Sequence, residues 1–267
     1  MTAPRGLGED LPQRRPTERL RAGGHELEYR LYPARALDRP TLVLLHEGLG
    51  SLAMWRDFPA RLAAETGCAT LVYSRYGYGG SDLLEGPRGV DYMHVEALVA
   101  LPELLEKLHI VRPVLVGHSD GGSIAIIHAG EGRREVAGLV LMAPHVFVED
   151  ISIESIAKAR IAWETTDLPR RLARYHRDAE RTFRGWNDIW LHPDFRAWNI
   201  TGYLPGIRCP ILAIQGMDDE YGTMAQIETI AAKCRDVELL RLADCRHSAH
   251  RDQPQATLEA IRRFLTP

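Results

Sequence analysis

The 267-residue sequence has no apolar run approaching the roughly 18 residues that a helix needs to span a bilayer. Its apolar stretches are strand-length, so no membrane partner is expected. The N-terminus lacks the apolar core of a secretory signal, and Arg14-Arg15 has no such core behind it, which makes cytoplasmic the expected location. The net charge is only −3, too small to suggest nucleic acid or an anionic surface as a partner. The four cysteines, Cys68, Cys209, Cys234 and Cys245, are scattered. They form neither a metal-ligand spacing nor a disulfide framework, so no metal and no cofactor are expected and the thiols read as reduced. Internal repeats are missing, as is any linker dividing the body. A 45% hydrophobic fraction then supports one α/β domain with an insertion.

What is present is an alternation of strand and helix patterns. Residues 1 to about 24, rich in Pro, Gly, Arg and Glu without apolar periodicity, read as a mobile N-terminal arm. His25 to Tyr32 alternates as a strand does. Thr41 to Leu45, Ala69 to Tyr73, Val114 to Val116, Val136 to Ala143 and Pro210 to Gln215 are continuous apolar runs, as expected of strands buried on both faces. Helical patterns fall at Trp55 to Glu65, at Asp91 to His109 with a kink expected at Pro102, and at Ser123 to Ala129. A helix at Thr223 to Lys233, a short strand at Val237 to Leu242 and an amphipathic helix at Pro254 to Leu265 complete the chain. The fold class is α/β, with a mostly parallel central sheet flanked by helices and a core of residues 25–148 and 206–267. Between these parts the alternation stops. Residues 149–205 are helical in pattern and hold Trp163, Trp186, Trp190 and Trp198, four of the five tryptophans. As a group they predict a helical cap over the strand ends, forming a mostly apolar pocket.

The chain is organised around Val114 to Gly122, where an apolar run ends in Gly117-His118-Ser119-Asp120-Gly121 and a helix-compatible run follows. Strand, sharp turn and helix place Ser119 at the tip of the turn. Glycine two positions either side avoids collision with the neighbouring strand and helix. The bare pattern would also suit a serine capping a helix; its setting makes Ser119 a candidate nucleophile. A serine hydroxyl needs a base within reach, and the base needs an orienting partner. In parallel sheets such groups gather at the carboxyl ends of strands. The acid candidates are Asp218 and Asp219 after Gly216; the base candidates are His247 and His250. The strand ending Ala143-Pro144-His145 offers no acid.

Together with Gly117 to Gly121, the stretches His46-Glu47-Gly48-Leu49-Gly50-Ser51, Gly216-Met217-Asp218-Asp219 and Cys245-Arg246-His247-Ser248 resemble the α/β-hydrolase superfamily, over about residues 25 to 267. The resemblance is specific for fold and mechanism class and not for substrate. It implies an acid three residues past Gly216, at Asp219, leaving Asp218 to the turn. It implies His247 as the base, although Arg246 stands where the family usually has glycine, and leaves His250 at the surface or behind the site. The order Ser119, Asp219, His247 is that of the fold. Oxyanion donors are expected from the backbone N–H of Asp120 and from the loop after His46. Because Glu47 replaces the usual glycine there, the second donor is Leu49 or Gly48, with Leu49 favoured.

The activity so implied is a serine hydrolase acting through an acyl-enzyme on a small or medium carboxylic ester. The alternatives are C–C bond hydrolysis of a dienoic diketone-type acid, hydrolysis of aminoacyl esters or peptides, and a non-catalytic protein that binds a small ligand. Haloalkane dehalogenase and epoxide hydrolase are disfavoured, since those relatives use an aspartate nucleophile. Glu47, Arg75, Tyr78, Trp163, Trp186 and Trp190 are the pocket candidates, with packing and loop anchoring the favoured reading for Arg75 and Tyr78. The Asp120 carboxylate is expected either to bind a cationic or hydroxyl group of the substrate or to bond to nearby loops. The expected partner is a small-molecule substrate, and homo-oligomerisation stays open.

Overall fold

The computed structural model describes residues 16–35 and 38–266. Residues 1–15 of the expected arm lie outside them. The rest of that segment is not an arm: Glu18–Ala22 forms β1, paired antiparallel with β2 (His25–Tyr32). The turn between them is Gly23-Gly24, at φ +60 and +84, which glycine adopts without a Cβ penalty. Two arginines and a glutamate in β1 masked it as a strand, because an edge strand buries little.

The strands β3 (Leu42–Leu45), β4 (Thr70–Tyr73), β5 (Val114–His118), β6 (Gly138–Met142), β7 (Ile211–Gly216) and β8 (Val237–Leu242) complete an eight-stranded sheet. Its order is β1-β2-β4-β3-β5-β6-β7-β8, with β2 antiparallel to β4 and every pairing from β4 to β8 parallel. Alternate residues feed two cores. Val43, Leu45, Leu115, Leu139, Leu141, Ile211 and Ala213 enter one. Leu42, Leu44, Val114, Val116, Val140, Met142, Leu212 and Ile214 enter the other. A period of two with both faces buried gives the continuous apolar runs seen in the sequence.

Helices cover both faces. α1 (Phe58–Thr66) starts later than expected, because Leu52–Trp55 forms a separate 3-10 turn closed by Arg56 at φ 55. The long helix expected at Asp91 to His109 is α2 (Tyr92–Val95), a wide π turn (Glu96–Ala100) and α3 (Leu101–Lys107). Pro102 lies in the first turn of α3, directly after the π turn, whose wider register, with Leu101 N donating to Glu96 O, accommodates its missing N–H. α4 (Asp120–Glu131) follows the Ser119 turn.

Between β6 and β7 the insertion consists of α5 (Asp150–Thr165), α6 (Leu168–Leu172), α7 (Ala179–Trp190) and two 3-10 turns ending at Gly206. α7 is capped by Asp178, whose carboxylate accepts from Arg181 N at 2.9 Å, and it buries Phe183, Trp186, Ile189 and Trp190 along one stripe. α8 (Ala225–Lys233), α9 (Ala249–Asp252) and α10 (Pro254–Phe264) close the chain. Among the described residues no helix is long and apolar enough to cross a membrane.

Candidate active site

The adjacent strands β5, β6, β7 and β8 bring Ser119, His145, Asp219 and His247 to one edge of the sheet. Ser119 sits between β5 and α4 at φ 53, ψ −120, a conformation a non-glycine residue holds only where its surroundings enforce it. The surroundings are backbone. A Cβ on Gly117 would strike the Gly121 carbonyl, and one on Gly121 would strike the Leu45 carbonyl. The turn is pinned by Ser119 N donating to Met142 O at 2.9 Å and Gly122 N donating to Ser119 O at 2.8 Å. Asp120 heads α4, so its N–H has no partner within the helix.

Asp219 and His247 meet across 28 residues of sequence. His247 Nδ1 lies 2.9 and 3.0 Å from the two carboxylate oxygens, and Asp219 also accepts from Tyr221 N at 2.8 Å and Gln215 Nε2 at 2.6 Å. Burial opposes the His247 cation, but the Asp219 carboxylate and Glu220 outweigh it and hold the imidazole pKa above its ordinary value. Burial opposes the Asp219 anion too, but His247 and the Tyr221 N–H keep its pKa low. Asp218 is exposed, and only its backbone N–H is used, donating to Cys245 O at 3.0 Å. His250 is not at the surface. It is 5% exposed, packed on Trp55, Phe58 and His118, and burial holds it neutral. Burial pushes the Cys245 thiol up to about 11.

One cavity of about 140 Å³ contains Ser119 and His247, lined also by Glu47, Gly48, Leu49, His118, Asp120, His145, Trp186, Trp190 and Tyr221. Ser119 Oγ and His247 share this space without a hydrogen bond; such contacts often tighten only with substrate bound. Both candidates for the second oxyanion donor, Gly48 and Leu49, line the cavity. Gly48 admits the Trp186 indole, which a Cβ would strike.

Three of the expected pocket residues do not reach this cavity. Trp163 stacks on Phe183 with ring centroids 4.3 Å apart. Arg75, 1% exposed, donates to Glu47 O at 2.9 Å and His46 O at 3.2 Å, with Tyr78 4.7 Å beneath its guanidinium. Both therefore anchor the loop after β3. One oxygen of the Asp120 carboxylate is taken up by neighbours: Tyr92 Oη donates to Oδ2 at 2.6 Å, Trp190 Nε1 donates to Tyr92 Oη at 3.1 Å, and Arg75 stands 3.7 Å from Oδ2, while Oδ1 is buried without a partner. Burial raises the Asp120 carboxyl against the pull of Arg75. Glu47 keeps a partly open side chain, 16% exposed, between His118 and Arg251, each at 3.5 Å. Burial would raise the Glu47 pKa, but these two hold it low.

Sequence reasoning gave no role to His118, Gln215 or His145. His118 Nε2 hydrogen-bonds the His247 carbonyl at 2.9 Å, 129 residues away, and its place beside Ser119 was the available signal. His145 lines the cavity, pushed down to about 3 by burial and by His247, and stays neutral. Its place at the tip of β6 was visible, but its chemistry was not.

This chain belongs to the alpha/beta hydrolase family, whose model matches residues 42–260. It is similar to 2-succinyl-6-hydroxy-2,4-cyclohexadiene-1-carboxylate synthase of Salmonella paratyphi C, at 23% identity over 256 residues, covering 85% of this chain and 94% of the relative. It is also similar to a proline iminopeptidase of Saccharolobus solfataricus, at 25% identity over 285 residues, covering 91% and 89%. The solved enol-lactonase from Burkholderia xenovorans shares the fold, with a TM-score of 0.74 at 22% identity over 94% of this chain and all (100%) of that one.

Proposed function

We propose that this chain is a serine hydrolase that cleaves a small carboxylic ester through an acyl-enzyme. Ser119 attacks the carbonyl carbon and His247 takes the hydroxyl proton. The tetrahedral intermediate collapses, the C–O bond to the alcohol breaks, and His247 returns the proton to the leaving oxygen. Water, deprotonated by the same imidazole, then releases the acid and restores Ser119. Asp219 holds Nδ1–H, which fixes the tautomer with Nε2 free and stabilises the imidazolium. The N–H of Asp120 and that of Leu49 or Gly48 receive the oxyanion; one such donor is typically worth ~2.7–4 kcal/mol of barrier.

The observation that carries this reading is the Asp219–His247 contact at 2.9 Å in the same cavity as a strained serine. At about 140 Å³ the cavity is well below the roughly 300–1,000 Å³ of ordinary ligand pockets, so the acyl group is small and the insertion acts as its cap. Among the described residues no arginine or lysine lines the cavity, so the cation that would support C–C hydrolysis of a dienoic diketone-type acid is not among its lining residues. Glu47 favours a second reading, hydrolysis of aminoacyl esters or peptides: its partly open carboxylate offers acceptor capacity beside the nucleophile, and a proline iminopeptidase is among the relatives.

The test is fluorophosphonate labelling followed by a screen of acyl, aminoacyl and C–C cleavage substrates, with Ser119→Ala as the blank. Labelling of wild type alone and turnover of short acyl esters are expected. A wild type that neither labels nor turns over any substrate would leave a ligand-binding protein on a hydrolase scaffold.

A further inference from the structure

Asp219 is gripped by a residue that the proposed reaction does not yet use. Gln215, near the end of β7 and 1% exposed, spends its amide inside the turn that carries the acid. Its Nε2 donates to Asp219 Oδ2 at 2.6 Å and to the Gly222 carbonyl at 3.0 Å. Its own Oε1 is buried without a partner. An unpaired buried acceptor is costly, and an apolar side chain of similar length would escape that cost. Strand stability therefore does not account for an amide here, whereas its donor side does. The two carboxylate oxygens also differ. Oδ1 accepts from Tyr221 N at 2.8 Å and Gly222 N at 3.3 Å, bonds that no change at 215 removes directly. For Oδ2, among the described residues, Gln215 is the donor besides His247.

We infer that Gln215 is a positioning residue for the reaction proposed above: its amide pins Asp219 Oδ2, fixes the carboxylate plane toward His247 and disperses part of the negative charge facing the imidazole. The inference rests on the acid–base reading of Asp219 and His247. Without the amide the carboxylate is more basic and holds the imidazolium more tightly, so less of the base is free near neutral pH. The other groups facing His247 are Glu220 and Tyr221 on the acid's own turn, His145 at the tip of β6, His118 on β5, Glu47 after β3 and His250 on α9. All of them remain in a variant at 215.

The experiment is an NMR titration of His247 in the full chain, for wild type, Gln215→Met and Gln215→Asn, beside pH profiles of ester turnover. Loss of the donor should raise the His247 midpoint by roughly half a pH unit or more. At neutral pH kcat should fall about tenfold with KM changed much less, and turnover should partly recover at higher pH, where the imidazole is free. An unmoved or lowered midpoint in a folded variant overturns the inference, as does a loss equally deep at every pH. Should Gln215→Met not fold, Gln215→Asn withdraws the donor by one methylene while keeping a polar group, and a raised or unmoved midpoint there supports or overturns the inference in the same way. If wild type turns over no ester, the hydrolase reading falls, but the titration still decides the role of Gln215.

Discussion

The two halves of the site are held by different means. Around Ser119 the constraint is steric and made by backbone: two glycines backed by the carbonyls of Gly121 and of Leu45 on β3, with Ser119 N donating to Met142 O of β6. Around Asp219 and His247 the constraint is a set of side-chain hydrogen bonds, one from close in sequence and the others from distant elements. Gln215 comes from β7, His118 from β5, and two serines from the insertion, where Ser152 Oγ donates to the Tyr221 carbonyl and Ser155 Oγ to that of Glu220. The elbow is shaped by backbone packed against β3 and β6, whereas the Asp219–His247 pair is aligned by side chains. The nucleophile half should therefore fail abruptly when its shape is altered, and the acid–base half by degrees as its supports are removed.

The largest effect should come from the reacting groups, where the halves are equal. Ser119→Ala and His247→Ala should each lower kcat by on the order of 10⁴–10⁶ with little change in melting temperature, because such residues act as a unit. Near-normal turnover by folded His247→Ala would detach the base from this half altogether. Next, Asp219→Asn should cost about 10⁴ in kcat, and Asp218→Asn less than about threefold, since Asp218 is exposed. Equal losses would erase the distinction between the two acids.

The contrast in rigidity can be read in unfolding experiments. Gly121→Ala drives a Cβ into the Leu45 carbonyl and should cost roughly 1–3 kcal/mol in urea titrations, with activity lost in parallel. Gly222→Ala, in the acid's turn, meets only the side chains of His145 at 3.4 Å and Gln226 at 3.5 Å and should cost less than about 1 kcal/mol. The reverse order would show that the elbow is not the stiffer half.

The pH dependence sharpens the acid–base half further. The raised His247 pKa contributes stability that is full below its unfolded value and lost as pH rises through its folded value. The lowered Asp219 pKa contributes stability that is present above its unfolded value and lost as pH falls through its folded value. Both contributions coexist between the carboxylate and imidazole ranges. Turnover needs the neutral imidazole, so kcat/KM should climb with pH above the ordinary histidine value while this part of the stability declines. Parallel rate and denaturation profiles check this; a limb at or below the ordinary histidine value contradicts it. The smallest effect should be that of Ser152→Ala with Ser155→Ala. Removing two hydrogen bonds that leave the acid in place should cost about 2 kcal/mol of stability, at about 1 kcal/mol per bond, and only a few-fold in kcat/KM.

This division also governs what could be read from the sequence. The parallel strands were legible because burial on both faces leaves unbroken apolar runs, and the elbow because its steric demand is met by glycines close in sequence. β1 was not, since an edge hairpin with two arginines carries almost no burial signal. The π turn before Pro102 reflects a local compromise that periodicity does not record. Trp163 is a pocket candidate by type and neighbourhood, yet packing turns it onto Phe183, whereas Arg75 lies on carbonyls as the favoured loop-anchoring reading has it. Tyr92, which donates to Asp120, lies 28 residues from it, and Trp190, which donates to Tyr92, lies 98 residues from Tyr92, so only the folded structure could join them.

The anchorage of the acid's turn on α5 has a mechanical outcome. A rigid swing of the helical roof away from the sheet must either snap the bonds from Ser152 and Ser155 or drag the Glu220 and Tyr221 carbonyls along with it. In the proposed hydrolase, admission of a ligand and aim of the proton acceptor would therefore be geared together, a wide-open roof being at the same time a misaligned one.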